Sequence, residues 1–235
     1  MSVHNVDILY SDDDIVVAVK PASTDSQKTA GGSDMVRILS EMTGGDIFPV
    51  HRLDRETRGV MVYARTHKAA SSLSESFSRG FVEKAYLTVI LGAPEEESGE
   101  YRDLLYHDSR RNKSYVVSCQ RRSVRDAHLR YCTVARSGQT TLVAVRPVTG
   151  RTHQIRVQFA SRGTPVLGDR RYGGKPDDSR WGADIESFRG IALACVSLSF
   201  PHPSGSGSVS FSFTPTGAPW DSFDLSSVPH VIAEL

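Results

Sequence analysis

The sequence predicts an α+β fold built on a mixed or mainly antiparallel sheet. Short β-branched runs outnumber the helical stretches, strands and helices follow one another without a regular βαβ alternation, and no repeat or clear linker divides the 235 residues. Hydrophobic residues make up 39% and charged residues 23%, the balance of an ordinary globular chain with room for a substantial core. A single domain over residues 1–235 is the expectation.

Residues 6–10 and 15–20 read as strands joined by the acidic turn Ser11-Asp12-Asp13-Asp14, and Lys20-Pro21 ends the second. A Ser/Thr/Gly-rich loop covers residues 22–33. Residues 35–43 then carry helical spacing, stopped by Gly44-Gly45. The polar stretch 49–58 leads into a strand at 60–65. Thr66 is placed to cap a helix over 67–79 that stops at Gly80. Residues 84–91 form a strand, 95–100 an acidic loop, and 101–136 short strands (114–118 and 128–135) between arginine-rich stretches. A strand at 140–146 precedes a turn at 147–151, and Thr152 is placed to cap a helix over 153–161 closed by Gly163. Residues 168–175 read as a glycine-punctuated loop, and strands at 192–200 and 208–214 close a helix-poor tail.

No apolar run approaches the ~20 residues that span a bilayer, and the N-terminus lacks a signal-peptide layout. The cytoplasm is the expected address and a monomer the default. The three cysteines are widely spaced, with no CxxC pair and no Cys/His cluster, so neither a metal nor a disulfide frame is expected. Charge is uneven beneath a net of +1: residues 100–175 hold 16 basic and 5 acidic side chains, and 14 of the basic ones are arginine. Arginine suits forked contacts with phosphate, so a polyanionic partner is expected. Solvated strand edges and loops account for part of the excess.

Chemistry-bearing residues concentrate in three places. In His51-Arg52-Leu53-Asp54-Arg55-Glu56-Thr57-Arg58-Gly59, one carboxylate is flanked by Arg52, Arg55 and Arg58. Nearby cations keep a carboxylate ionised and available as nucleophile or anchor; a surface ion-pair network is the bland alternative. In Arg146-Pro147-Val148-Thr149-Gly150-Arg151-Thr152-His153-Gln154-Ile155-Arg156, a helix start beside Arg151 suits an anion, while Arg156 lies on the same helical face as Thr152. Solvated arginines over a packed Ile155, Val157 and Phe159 are the alternative. Third, Lys84-Ala85-Tyr86 opens a strand, where a tyrosine is more often a packing residue than a catalytic one.

The strings HRLDRETRGVMVYART, EKAYLTVILG and VRPVTGRTHQIRVQFASRGTPVLGDRRYGG, in this order, resemble the RluA family of RNA pseudouridine synthases. The opening ILYSDDDIVVAVKPAS and the closing IALACVSLSFPHP extend the likeness from about Ile8 to Pro215. The resemblance implies a catalytic core of bisected, mainly antiparallel sheet with flanking helices and loops, and an activity that isomerises uridine to pseudouridine in ribosomal or transfer RNA. Asp54 matches the family's essential aspartate, Tyr86 the tyrosine that stacks on the target base, and Arg156 the arginine that pairs with the aspartate. No metal, nucleotide or redox cofactor is implied, since uracil is both leaving group and incoming nucleophile. RNA contacts are expected from His51, Arg52, Arg55, Arg58, Lys84, Arg151, His153 and Gln154.

The chain departs from the family pattern at Arg58, at Ala22-Ser23-Thr24, at Leu129 and at Ala194-Cys195, which bears on RNA contacts rather than on the three catalytic matches. Since the likeness begins at about Ile8, no S4-type RNA-binding module is expected before it, and recognition is expected of the core itself. Two other classes fit less well. An RNA-folding protein would not need Asp54 for its service, and a phosphate-binding hydrolase would need a base or metal set that the sequence does not offer.

Overall fold

Two β-branched runs set the register of a first unit in the computed structural model, which describes residues 6–30, 33–173 and 190–235. The chain divides into a first unit, Met1–Lys84 with Ala194–Thr214, and a second, Ala85–Leu193 with Pro215–Leu235, so that neither is one continuous segment. In the first, β2 (Ile15–Lys20) pairs antiparallel with β4 (Arg58–Ala64), from Ile15 opposite Ala64 to Lys20 opposite Gly59. β1 (Ile8–Ser11) lines the other edge of β2, and the Asp12 carboxylate closes their acidic turn by accepting the Asp14 and Ile15 N–H groups. The remaining edge of β4 is shared. β3 (Phe48–Pro49) runs antiparallel to its end, and β10 (Leu193–Pro201) runs parallel to its start. β11 (Ser208–Ser212) pairs antiparallel with β10.

Helix α1 (Met35–Thr43) starts where Asp34 accepts the Arg37 N–H and stops at Gly44. Helix α2 (His67–Ser78) starts where Thr66 accepts the Ala69 N–H, a cap worth about 1 kcal/mol. Its Ala69 and Leu73 pack on Ile15, Val17, Val60, Val62, Leu198 and Phe200. The opposite side of the same strands is also dry. Met61 and Tyr63 are fully buried, and the Tyr63 hydroxyl donates to the Ser26 carbonyl in the loop after β2. That explains why β2 reads as a continuous apolar run rather than an alternating one.

The second unit is an antiparallel sheet in the order β5 (Glu83–Leu91), β9 (Thr140–Pro147), β8 (Val124–Ser137), β6 (Ser98–Asp108), β7 (Lys113–Val117). β5 begins in the first unit and enters the second at Ala85. β6 and β8 are 11 and 14 residues long, so half of the expected acidic loop and much of the arginine-rich connections are strand. Helix α3 (Gln154–Ala160) is buried through Phe159, which meets Tyr101 and Tyr131 at ring distances of 5.2 and 5.8 Å. The sequence did not suggest the last helix, α4 (Val228–Glu234). It follows a 3-10 turn at Trp220–Ser222, and its Ile232 carbonyl accepts from Arg146 at 2.8 Å. The expected α+β class holds, mainly antiparallel, with β4 and β10 running parallel. Residues 31–32 of the expected loop at 22–33 and 174–175 of that at 168–175 lie outside the described residues.

Candidate active site

In the first unit, residues 51–57 form a loop held mostly by groups distant in sequence. Buried Leu53 and Thr57 flank the half-buried Asp54, and the Thr57 N–H returns to the Asp54 carbonyl at 3.0 Å. The Ser26 hydroxyl donates to the Leu53 carbonyl at 2.8 Å and accepts the Leu53 N–H at 3.1 Å, fixing both backbone polar groups beside Asp54. Lys20, with no exposed surface, donates from Nζ to the carbonyls of Pro21 (2.9 Å), Thr24 (2.8 Å) and Arg55 (2.9 Å). Three acceptors match the three N–H bonds of an ammonium. Burial pulls its pKa down to about 8, against the opposing charges of Glu56, Asp25 and Asp54.

Two of the three cations expected around Asp54 have other contacts. Arg52 is exposed, Arg55 reaches the Ser23 carbonyl from Nε at 3.4 Å, and the Arg58 guanidinium lies 5.3 Å from the Phe213 ring centre. His51 has a structural task. Its Nε2 accepts the Val62 N–H at 3.1 Å, and its ring stacks on Phe77 at 4.7 Å. Burial, helped by the Lys84 charge, pushes the His51 pKa down to about 3, so the ring is neutral near pH 7 and offers no cation to a phosphate. Lys84 covers the same Phe77 ring at 5.5 Å, and burial lowers its pKa against the influence of Cys195.

In the second unit, buried Tyr86 lies on β5 opposite Val145 of β9. Arg156 of α3 makes a forked ion pair with Asp169, Nε to Oδ2 at 2.6 Å and Nη2 to Oδ1 at 3.0 Å. The side chains are 5% and 0% exposed, so removing either partner strands a buried charge at a cost of roughly 3–5 kcal/mol. Tyr172 lies beside them, its ring centre 5.3 Å from the guanidinium carbon. Asp169 carries no expected role in the sequence reading, although it stands in the quoted GDRRYGG string.

The Thr152 cap does not form. α3 begins one residue later, with His153 as N-cap in the left-handed region (φ 57°) and no capping side chain. Two neighbours explain the shift. The Ser114 hydroxyl binds the Thr152 carbonyl at 2.6 Å, and Tyr172 Oη lies 3.0 Å from His153 Nδ1. Just before the helix, Gln154 Oε1 accepts from the Arg151 N–H (3.0 Å) and the Thr149 hydroxyl (2.8 Å). The same amide donates to the His128 carbonyl at 3.0 Å, so Gln154 ties its loop to β8. Arg151 is exposed, its Nε on the Asp126 carbonyl at 2.9 Å. Among the described residues no group of three or more His, Cys, Asp or Glu is placed to hold a metal. None of their helices is long and apolar enough to cross a membrane.

The family profile described as RNA pseudouridylate synthase matches residues 14–161, a stretch that includes Asp54, Tyr86 and Arg156. An uncharacterized RNA pseudouridine synthase of Aquifex aeolicus is 36% identical over 184 residues, 72% of this chain and 57% of that protein. A ribosomal large subunit pseudouridine synthase D of Xanthomonas campestris is 34% identical over 209 residues, 83% of this chain and 61% of that protein. The match thus spans less than two thirds of either relative. The solved human RNA pseudouridylate synthase domain containing 1 shares the fold, with a TM-score of 0.76 at 23% identity over 92% of this chain and 85% of that one. With a family profile over most of the chain and relatives above 30% identity, the protein belongs to the RNA pseudouridylate synthase family, in the RluA group that its motifs resemble.

Proposed function

We propose that this chain is a single catalytic domain that isomerises a uridine of ribosomal or transfer RNA to pseudouridine, with Asp54 as the catalytic nucleophile. The observation that carries the reading is the loop at 51–57. Lys20 and Ser26 hold the backbone on both sides of Asp54 through carbonyl and N–H contacts, the rigidity a reacting group needs. The reaction breaks the N1–C1′ bond and forms a C5–C1′ bond; C5 loses its proton and N1 gains one, so no atoms enter or leave. Asp54 acts on the nucleotide either at C1′ or by promoting a glycal intermediate. Tyr86 stacks on the extruded base and takes part in moving the proton, while Arg156, kept in place by Asp169, is the third catalytic group.

Extruding a base costs a few kcal/mol, least for an unpaired one, so the target is a loop uridine. Arg52, Arg55, Arg58, Lys84, Arg151 and His153 supply RNA contacts, whereas His51 and Gln154 act by shaping their loops. The Xanthomonas relative, named for the large ribosomal subunit, makes ribosomal RNA the first substrate to try. The enzyme is taken to work as a cytoplasmic monomer without a cofactor. The test is Asp54→Asn: pseudouridine formation should vanish while RNA affinity stays within about twofold. Residual turnover by the pure variant overturns the assignment of the nucleophile.

A further inference from the structure

We propose a second RNA contact outside the catalytic residues: a stacking platform for an unpaired stretch of the substrate, formed by Tyr106 and Tyr115 on the β6–β7 hairpin. The inference deepens the proposed function and rests on it. Tyr106 and Tyr115 are direct partners across the antiparallel pair, so their side chains share one face. The adjacent position, Leu105, belongs to the opposite face, where it is buried against Val157 and Tyr172. The two tyrosines are only half-buried, although their strands are well ordered by pairing.

Cations attend both rings. The Arg121 guanidinium lies 5.1 Å from the Tyr106 ring centre, and the Lys113 ammonium 5.6 Å from that of Tyr115. The Arg111 guanidinium adjoins the Tyr115 hydroxyl and pairs with Asp108 at 3.8 Å. Over residues 108–125 the chain has six basic side chains and one acidic. A self-contained set of surface cation–π pairs does not need that surplus. Aromatic faces among arginines and lysines are what a single-stranded nucleic acid requires: bases stack on the rings while the cations neutralise phosphates. Stacking on tyrosine tolerates any base, so the platform adds affinity and register rather than sequence choice.

The experiment compares Tyr106→Leu/Tyr115→Leu with Tyr106→Phe/Tyr115→Phe in the full chain. The probes are a labelled unpaired uridine-containing oligoribonucleotide and a stem–loop transcript, with binding, KM and kcat measured for each. The leucine pair should weaken Kd and raise KM by about tenfold or more while kcat at saturating RNA is unchanged. The phenylalanine pair should behave as wild type, because the ring face rather than the hydroxyl does the stacking. If the leucine pair fails to fold by circular dichroism, Tyr115→Leu alone, on the edge strand, carries the same expectation with a smaller loss. Wild-type affinity and KM in a folded leucine variant, with wild-type protein still modifying RNA, overturns the platform alone. Wild-type protein that neither binds nor modifies RNA overturns the proposed activity and the platform with it.

Discussion

At the scale of single residues, the fold spends a buried charge on one loop. The Lys20 ammonium has lost its water and gains three carbonyls in return, one of them on Arg55, next to Asp54. Its pKa falls from 10.5 to about 8, so between those values the unfolded chain holds the extra proton. Stability therefore rises with pH through this window, as the buried charge is relieved. The loop responds in the opposite sense, because a neutral amine has two N–H bonds for three carbonyls. Activity should fall above about pH 8 while the melting temperature does not, a split that a simple unfolding limb cannot produce. In Lys20→Met that alkaline limb should be gone from the kcat profile, and stability should drop by about 3 kcal/mol as the carbonyls lose their partner. A limb near pH 8 that persists in this variant removes Lys20 from the account. The sequence made Asp54 and Arg156 conspicuous because each stands in a dense charged string. Lys20, Ser26 and Asp169 were not visible in the same way: their partners lie 35, 27 and 13 residues away, and two of the three bind backbone atoms that leave no trace in side-chain pattern.

At the scale of elements, local signals were strongest where one chemistry ran unbroken. The β2 run and α1 fall at the expected residues, and Thr66 caps α2 as its position suggested. The long strands β6 and β8 were obscured because exposed Arg102, Arg125 and Arg130 alternate with buried Tyr101, Leu105, Leu129 and Tyr131. A half-wet antiparallel face looks like loop when its outward residues are charged. Helix α4 was hidden by Pro229, which sits in the first turn, where no intrahelical N–H is required. The junction of β4 with β10 makes the sharpest demand on a single position. Gly59 has φ of 146°, and a Cβ added there would come within 2.7 Å of Cys195 Cβ and collide with the Cys195 backbone. Parallel approach at this point thus needs both the missing side chain and the left-handed freedom of glycine. Gly59→Ala should cost about 3 kcal/mol or more in urea unfolding, or prevent folding, whereas Thr66→Ala should cost about 1 kcal/mol. Equal, small losses in the two variants contradict a tight β4–β10 junction.

At the scale of the molecule, the near-neutral total conceals a division of labour in charge. The net of +1 combines 16 basic and 5 acidic residues over 100–175 with acidic flanks, and the described part of that span belongs to the second unit. Several of these arginines are committed to internal pairs. Arg156 is on Asp169, Arg162 on Asp103, and Arg102 and Arg130 are on Glu100, which their charges hold far below the usual carboxylate range, at about 2. The remainder, including exposed Arg110, Arg121, Arg122 and Arg151, are the ones that can release counterions from RNA. The logarithm of RNA affinity should therefore fall linearly with that of salt concentration, with a slope of about −0.7 for each phosphate neutralised on a single strand. Asp54→Asn should leave this slope unchanged, since it alters chemistry without removing a phosphate contact. Arg121→Gln/Arg122→Gln should make it shallower by about one to two, uniformly across RNA sequences. Filter binding between low and moderate salt decides the matter. A slope near zero in the wild type, or one unmoved by the double variant, means that these arginines serve solubility and not the RNA.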